Sequence, residues 1–212
     1  MADFSEKLIT KLKTGDLILS TDSYGNIDIT EVITIMQYGE NLGNQFYLTL
    51  KYKLIFYFPF NGLAKFFEIL TETGHSITLS GNHLIYEKKK GYLKAEYIKL
   101  NDELQVLMTN NRSLDFSKVI LIKEKVEYGF IAPLVESGNL MVDGIHASCY
   151  AGINSHLLAD LALKPLIYWH KINKFLNFEQ IELENLQKTS YRHPYVDIFY
   201  YLKLKKLANI II

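Results

Sequence analysis

From Leu8 to about Ala151 the hydrophobic residues fall in short runs rich in β-branched and aromatic side chains, each cut by turn-forming residues. Gly15-Asp16, Tyr24-Gly-Asn26, Glu72-Thr-Gly74 and Glu136-Ser-Gly138 are the clearest breaks, since glycine and short polar residues reach turn dihedrals that other side chains resist. The pattern predicts strands throughout this region. After Ala151 the period lengthens. Leu157-Leu-Ala-Asp-Leu-Ala-Leu163 predicts a helix that Pro165 ends. Tyr195, Ile198, Phe199 and Leu202 recur at i, i+3, i+4 and i+7, with Pro194 ahead and Lys203, Lys205 and Lys206 behind, and predict a second, amphipathic helix. Its apolar face either docks on the β region or lies on a membrane surface.

The strand region repeats itself. Lys11-Leu-Lys-Thr-Gly-Asp-Leu-Ile-Leu19 returns as Ile98-Lys-Leu-Asn-Asp-Glu-Leu-Gln-Val106, and Asp28-Ile-Thr-Glu-Val-Ile-Thr-Ile35 returns as Asp115-Phe-Ser-Lys-Val-Ile-Leu-Ile122. Leu70-Thr-Glu-Thr-Gly74 returns as Leu134-Val-Glu-Ser-Gly138. Three weak matches in one order predict two copies of a β subunit related by a pseudo-two-fold axis. Thr14 pairs with Asn101 and Val32 with Val119 at an offset of 87, whereas Gly74 and Gly138 differ by 64. The first copy is therefore longer by 23 residues between Val32 and Gly74. The apolar stretch at 47–60 lies in that excess, within an insertion placed at about 40–65. It reads as a lid or membrane-touching hairpin, as an edge hairpin, or as translated non-coding sequence; exposed, so apolar a strip would invite aggregation.

Composition narrows the function classes. Among 212 residues, 23 basic side chains balance 23 acidic ones, so the positive footprint of a nucleic-acid binder is missing. With 49% apolar residues the chain is too hydrophobic for a disordered tail. One cysteine makes neither an internal disulfide nor a thiolate metal cluster, and neither cofactor nor metal is expected. The first seven residues hold no apolar signal segment, and no run approaches the roughly 20 apolar residues of a spanning helix. A monomer is expected.

Two segments resemble the processing domain of hedgehog proteins, the Hog member of the hedgehog/intein (Hint) superfamily. One is Phe67-Glu-Ile-Leu-Thr-Glu-Thr-Gly-His-Ser-Ile-Thr-Leu-Ser-Gly-Asn-His-Leu-Ile-Tyr86; the other runs from Tyr128 to Asn154 around Ala132-Pro-Leu134 and Ala147-Ser-Cys-Tyr-Ala151. The stretch Tyr191–Tyr201 is loosely similar to the sterol-recognition region that follows hedgehog Hint cores. The resemblance implies an all-β Hint horseshoe over residues 1–155 and a helical tail over 156–212.

It also implies a chemistry: a cysteine at the domain's start attacks the preceding carbonyl to give a thioester, and a sterol hydroxyl then releases the upstream signalling domain as an ester. Such a reaction needs a nucleophile, an acid for the leaving amine, polarising donors and a base. No cysteine stands at the matching position of this chain, so as written it lacks its nucleophile. His83 matches the histidine that polarises and protonates the scissile amide, and Ser80 stands where the family has threonine. Cys149, the only thiol, matches a supporting cysteine and reads equally as a small buried hydrophobe. Gln37 stands where an aspartate activates the sterol; an amide cannot take that proton. His75 and His146 read as ordinary turn or strand residues. Ser80, His83 and Cys149 are expected within about 10 Å of one another, close to the N-terminus, as neighbours in one pocket must be. Family membership implies passage through the secretory route in a longer precursor. The competing reading is a catalytically dead Hint fold retained to bind lipid or protein.

Overall fold

A computed structural model describes residues 1–39, 63–108, 110, 112–128, 130–151, 155–176 and 191–192. The stretch at 47–60 and the periodic segment from Tyr195 lie outside the described residues.

The first copy opens with a 3-10 turn at Ile9–Lys11, strand β1 (Leu17–Thr21) and the long strand β2 (Ile27–Gly39). β1 and β2 form a hairpin in the register Leu17↔Glu31 to Thr21↔Ile27. Its turn is built by Asp22, whose carboxylate accepts from the backbone N–H groups of Tyr24 and Asn26, both at 2.8 Å, while Gly25 takes a φ of +82°. Next come β3 (Leu63–Thr71), β4 (Ser76–Ser80), β5 (His83–Glu87) and β6 (Gly91–Lys94). The second copy repeats the plan: a 3-10 turn at Ala95–Tyr97, then β7 (Glu103–Met108), β8 (Ser113–Tyr128), β9 (Phe130–Val135), β10 (Asn139–Val142) and β11 (Ile145–Ala151).

The two copies match bond for bond. Gly15 N–H donates to Val32 O at 2.8 Å and Asn101 N–H to Val119 O at 2.9 Å; Val32 N–H donates to Asp16 O and Val119 N–H to Asp102 O. Asp16 and Asp102 each accept a backbone N–H three residues back, from Lys13 and Lys99. These equivalences correct the offset read from sequence in the first segment. Asn101, with φ +69°, stands for Gly15, with φ +89°, and not for Thr14. Glycine and asparagine are the residues that tolerate the left-handed region.

Pairing between the long strands is reciprocal. β2 of the first copy pairs with β9 of the second through Val32↔Val135, and β8 of the second pairs with β3 of the first through Val119↔Thr71. Each copy thus lends its third strand to the other, and a mutual exchange of like contacts is the mark of two-fold symmetry. The main core lies between the copies and includes Ile69, Ile77, Ile85, Leu104, Val106, Val119 and Ile145. Fully buried, each such side chain contributes about 1.5–3 kcal/mol.

After Ala151 a helix, α1 (His156–Phe175), packs on β2 and β9, with Ala159 and Ile167 in one cluster with Ile33, Met36, Leu134 and Tyr150. Ser155 caps it, its hydroxyl accepting Leu158 N–H at 3.3 Å. The helix runs through Pro165 instead of ending there. A proline inside a helix costs about 3 kcal/mol, through a lost bond to the carbonyl four residues back and a clash with it. Tertiary contacts beyond Pro165 outweigh that cost: Ile167 and His170 are buried, Glu31 holds both His170 and Lys174, and Lys171 pairs with Glu136. A short strand, β12 (Tyr191–Arg192), then pairs with β2 at Tyr38 and Gln37.

Candidate functional site

β5 and β11 lie side by side, but not in simple register. Ile85 faces Ala147 and His83 faces Ala151, so two residues of β5 span four of β11. A β-bulge of this kind frees backbone groups from the ladder and re-aims them. Here the bulge holds Ser148, Cys149 and Tyr150. The freed carbonyl of Ser148 accepts His83 Nε2–H at 2.8 Å. A carbonyl can only accept, so this bond assigns the proton to Nε2 and leaves the Nδ1 lone pair open. Burial lowers the His83 pKa, which keeps the ring neutral near pH 7, while the bond to Ser148 works the other way. His83 therefore points an N–H at the carbonyl of the peptide immediately before Cys149.

Ser80 closes β4 and His83 opens β5, with Gly81 and Asn82 between them. The Ser80 hydroxyl donates to Asn82 Oδ1 at 3.1 Å. Gly81 has no room for a side chain, since a Cβ there would lie 2.7 Å from the ring of Phe67. Cys149 packs against two hydrophobic clusters, one with Tyr150 and Leu134, the other with Leu12, Ile18 and the chain's first residue, Met1. Burial pushes its thiol up to about 12, so it stays protonated and non-nucleophilic at neutral pH. Gln37 lies near the end of β2, facing Ala132 of β9 on one side and Arg192 of β12 on the other; its neighbour Met36 packs in the cluster that Cys149 touches.

The carbonyl of Gly138 gathers three donors: Cys149 N–H at 3.0 Å, His156 Nε2–H at 3.1 Å and the Ser148 hydroxyl at 3.4 Å. His156 is the first residue of α1, and its ring lies flat on that of Tyr92, centroids 4.0 Å apart and planes 9° from parallel. The Tyr92 hydroxyl reaches His146 Nε2 at 2.9 Å. His146 is buried and donates from Nδ1 to Gln105 Oε1 at 2.7 Å, and its Nε2 lies 3.1 Å from the Thr21 hydroxyl, which also reaches Asn139 Oδ1 at 3.2 Å. Beside it the side chain of Asn139 accepts from Thr21 N–H and the Ser20 hydroxyl and donates to Thr21 O. One buried polar junction thus joins β1 of the first copy to β10 and β11 of the second.

Sequence reading placed His146 and His75 as ordinary strand and turn residues. His75 is such a turn residue, tied by Nδ1 to Thr73 and by Nε2 to Leu107 O. His146 sits on a strand but anchors the junction, and Tyr92 and His156 escaped notice. Nothing local marks them: His146 meets partners 41, 54 and 125 residues away. Among the described residues no group of three His, Cys, Asp or Glu could hold a metal ion, and no helix is long and apolar enough to cross a membrane.

The Hint module family model matches residues 1–208. Among curated proteins, the chain is 28% identical to the Tiggy-winkle hedgehog protein of Danio rerio over 83% of its own length and 39% of the relative's. It is 30% identical to Warthog protein 6 of Caenorhabditis elegans over 76% of the chain and 23% of that protein, and 24% identical to protein hedgehog of Drosophila melanogaster over 93% and 40%. The chain thus spans well under half of these relatives. Among solved structures it is similar to a variant of the Ssp DnaB mini-intein, with a TM-score of 0.54, 13% identity and coverage of 73% of this chain and 87% of that one. A DnaB intein from Synechocystis gives 0.52 and 13%, over 72% and 92%. At such identity the likeness is one of fold. With the exchanged strands, the His83 turn and the family match over nearly its whole length, the chain belongs to the Hint module family, in its hedgehog branch.

Proposed function

We propose that this chain is the self-processing module of a hedgehog-like precursor that travels the secretory route. In this reading a cysteine on a strand upstream of residue 1 attacks the carbonyl that precedes it. The thiol proton passes to the bare Nδ1 of His83 while the Nε2 proton goes to the departing amide nitrogen, so the ring stays neutral, the C–N bond breaks and the acyl group becomes a thioester. A sterol hydroxyl then adds to the thioester carbonyl, the C–S bond breaks and the hydroxyl proton ends on the departing thiolate, so the upstream signalling domain is released as a sterol ester and the thiol is regenerated. The single supporting observation is the His83 Nε2–H bond to Ser148 O beside Cys149. It is a neutral imidazole already aimed, with its proton, at a peptide carbonyl. Ser80 would add a donor across the turn. The Cys149 thiol, held at about 12, acts as packing and not as the attacking group. Gln37 can hydrogen-bond the sterol hydroxyl but cannot deprotonate it, so thioester formation should outpace sterol transfer.

The test is a precursor carrying a reporter and a cysteine-bearing strand ahead of residue 1. Dithiothreitol should release the reporter, and His83→Ala should abolish release in a precursor that still unfolds cooperatively, at a somewhat lower melting temperature because Ser148 O loses its donor. A precursor that stays intact in thiol although folded refutes the reading. It would favour instead a catalytically silent Hint fold that binds lipid or protein, the reading to which an inert buried thiol is also suited.

A further inference from the structure

α1 is joined to the site by one side chain. In a helix each side chain tilts toward the N-terminus, so His156, in the first position after the Ser155 cap, reaches back past the helix end onto the turn that precedes β10. There its Nε2–H meets Gly138 O, the same carbonyl that holds Cys149 N–H and the Ser148 hydroxyl. The ring cannot swing away, because it is stacked flat on Tyr92 on one side and inclined against Tyr150, centroids 4.9 Å apart, on the other. Tyr92 is itself fixed by its hydroxyl on His146. Gly138 has no freedom to yield either: its φ is +76°, and the Tyr150 hydroxyl lies 2.8 Å from where a Cβ would stand. Ser148 is fully buried, and its hydroxyl takes Tyr150 N–H at 2.9 Å, closing the bulge on itself.

We propose that His156 is a positioning residue for the acyl transfer: its Nε2–H, through Gly138 O, fixes the Ser148–Tyr150 bulge in the place where it meets His83. The inference rests on the self-processing reading for its chemical consequence, but its geometric half stands apart from that reading. Docking of α1 thereby completes the site although no residue of the helix touches a reacting atom. Loss of the donor lets the bulge drift, and the Ser148 carbonyl leaves His83.

Two measurements separate the two layers. On the chain itself, the paired nitrogen-15 shifts of the His83 ring report its tautomer. Wild type is expected to show protonated Nε2 and bare Nδ1. His156→Phe, which keeps an aromatic ring on Tyr92 but no donor, should give the averaged shifts of an exchanging imidazole, and His156→Gln, which retains an N–H donor, should restore most of the wild-type pattern. Tyr92→Leu keeps the donor and loses the stack, so it should disturb His83 less than His156→Phe does; it also serves if His156→Phe fails to fold. Unchanged His83 shifts in His156→Phe, or a larger effect from Tyr92→Leu, overturn the proposal. In the thiol-cleavage precursor, His156→Phe should slow release on the order of tenfold, one hydrogen bond's worth, with His156→Gln near wild type. Release that is absent in wild type while the His83 shifts respond as stated refutes the self-processing reading and leaves the positioning role standing. Release at the wild-type rate in His156→Phe refutes the positioning role in catalysis.

Discussion

Replacing His146 by leucine should flatten the dependence of this protein's stability on pH. Nδ1–H of His146 donates to Gln105, so Nε2 is the acceptor for the Tyr92 hydroxyl. A second ring proton would sit on Nε2, where the Tyr92 hydroxyl now donates. Burial, with a smaller push from His156, therefore lowers the pKa to about 4, against about 6.5 for an unfolded histidine. The folded state binds fewer protons than the unfolded one, so stability from this group is complete above about pH 6.5 and drains away as pH falls toward 4. From these two values wild type loses about 2 kcal/mol between pH 7.5 and 5 through His146 alone.

Urea unfolding at the two pH values, followed by the fluorescence of the sole tryptophan, Trp169, or by far-ultraviolet dichroism, measures the difference. His146→Leu starts lower at pH 7.5, because Gln105 and Tyr92 lose a partner, at about 1–3 kcal/mol for each group left unsatisfied. Its fall between pH 7.5 and 5 should nonetheless be smaller than wild type's by about 2 kcal/mol. The remaining slope comes from His83 and His156, whose pKa values are also lowered by burial. Asp16 and Glu31, held below the usual carboxylate range by lysine partners and hydrogen bonds that outweigh burial, surrender their contribution only in stronger acid. An equal fall in variant and wild type, or a His146 proton resonance titrating near pH 6.5, refutes the reasoning.

Gly138→Ala should cost about 3 kcal/mol, the sum of left-handed backbone strain and a methyl group pressed on Tyr150, read as a lower urea midpoint with an unchanged slope. Pro165→Ala should raise stability by roughly 1–2 kcal/mol by restoring a helix bond, less than the full proline penalty because the unfolded chain also gains freedom; no gain would mean that α1 is already relaxed around the ring.

The duplicated frame was legible because its turns are chemical. Gly15, Gly74 and Gly138 all take positive φ, and each carries a sequence mark that repeats. The one-residue slip at Asn101 has the same origin: asparagine does in the second copy what glycine does in the first, so matching Leu17 with Leu104 set Gly15 against Asp102. Pro165 misled because a local penalty of about 3 kcal/mol was read without the contacts of Ile167, His170 and Lys174, which lie beyond it. The candidacy of His83 rests on a motif that spans a single turn. The Gly138–His156–Tyr92–His146 chain was invisible because its members come from four elements, and a hydrogen bond between distant elements leaves no periodic trace.

The position of the site follows from where the symmetry fails. Ala147 stands to His83 at the same 64-residue offset that relates Gly138 to Gly74, and Cys149 stands so to Ile85. β5 and β11 are thus equivalent strands of the two copies, paired across the axis. A strict two-fold that sets Ile85 against Ala147 would set His83 against Cys149. The structure sets His83 against Ala151, because β11 carries two residues more than its partner in that span. Those two residues convert a ladder position into a bulge, turn the Ser148 carbonyl toward the imidazole, and leave Cys149 N–H to Gly138. A symmetric β5–β11 ladder would satisfy its backbone within the sheet and offer His83 nothing to polarise. Duplication supplied the two facing strands, and the departure from it in β11 is what sets the Ser148 carbonyl against His83.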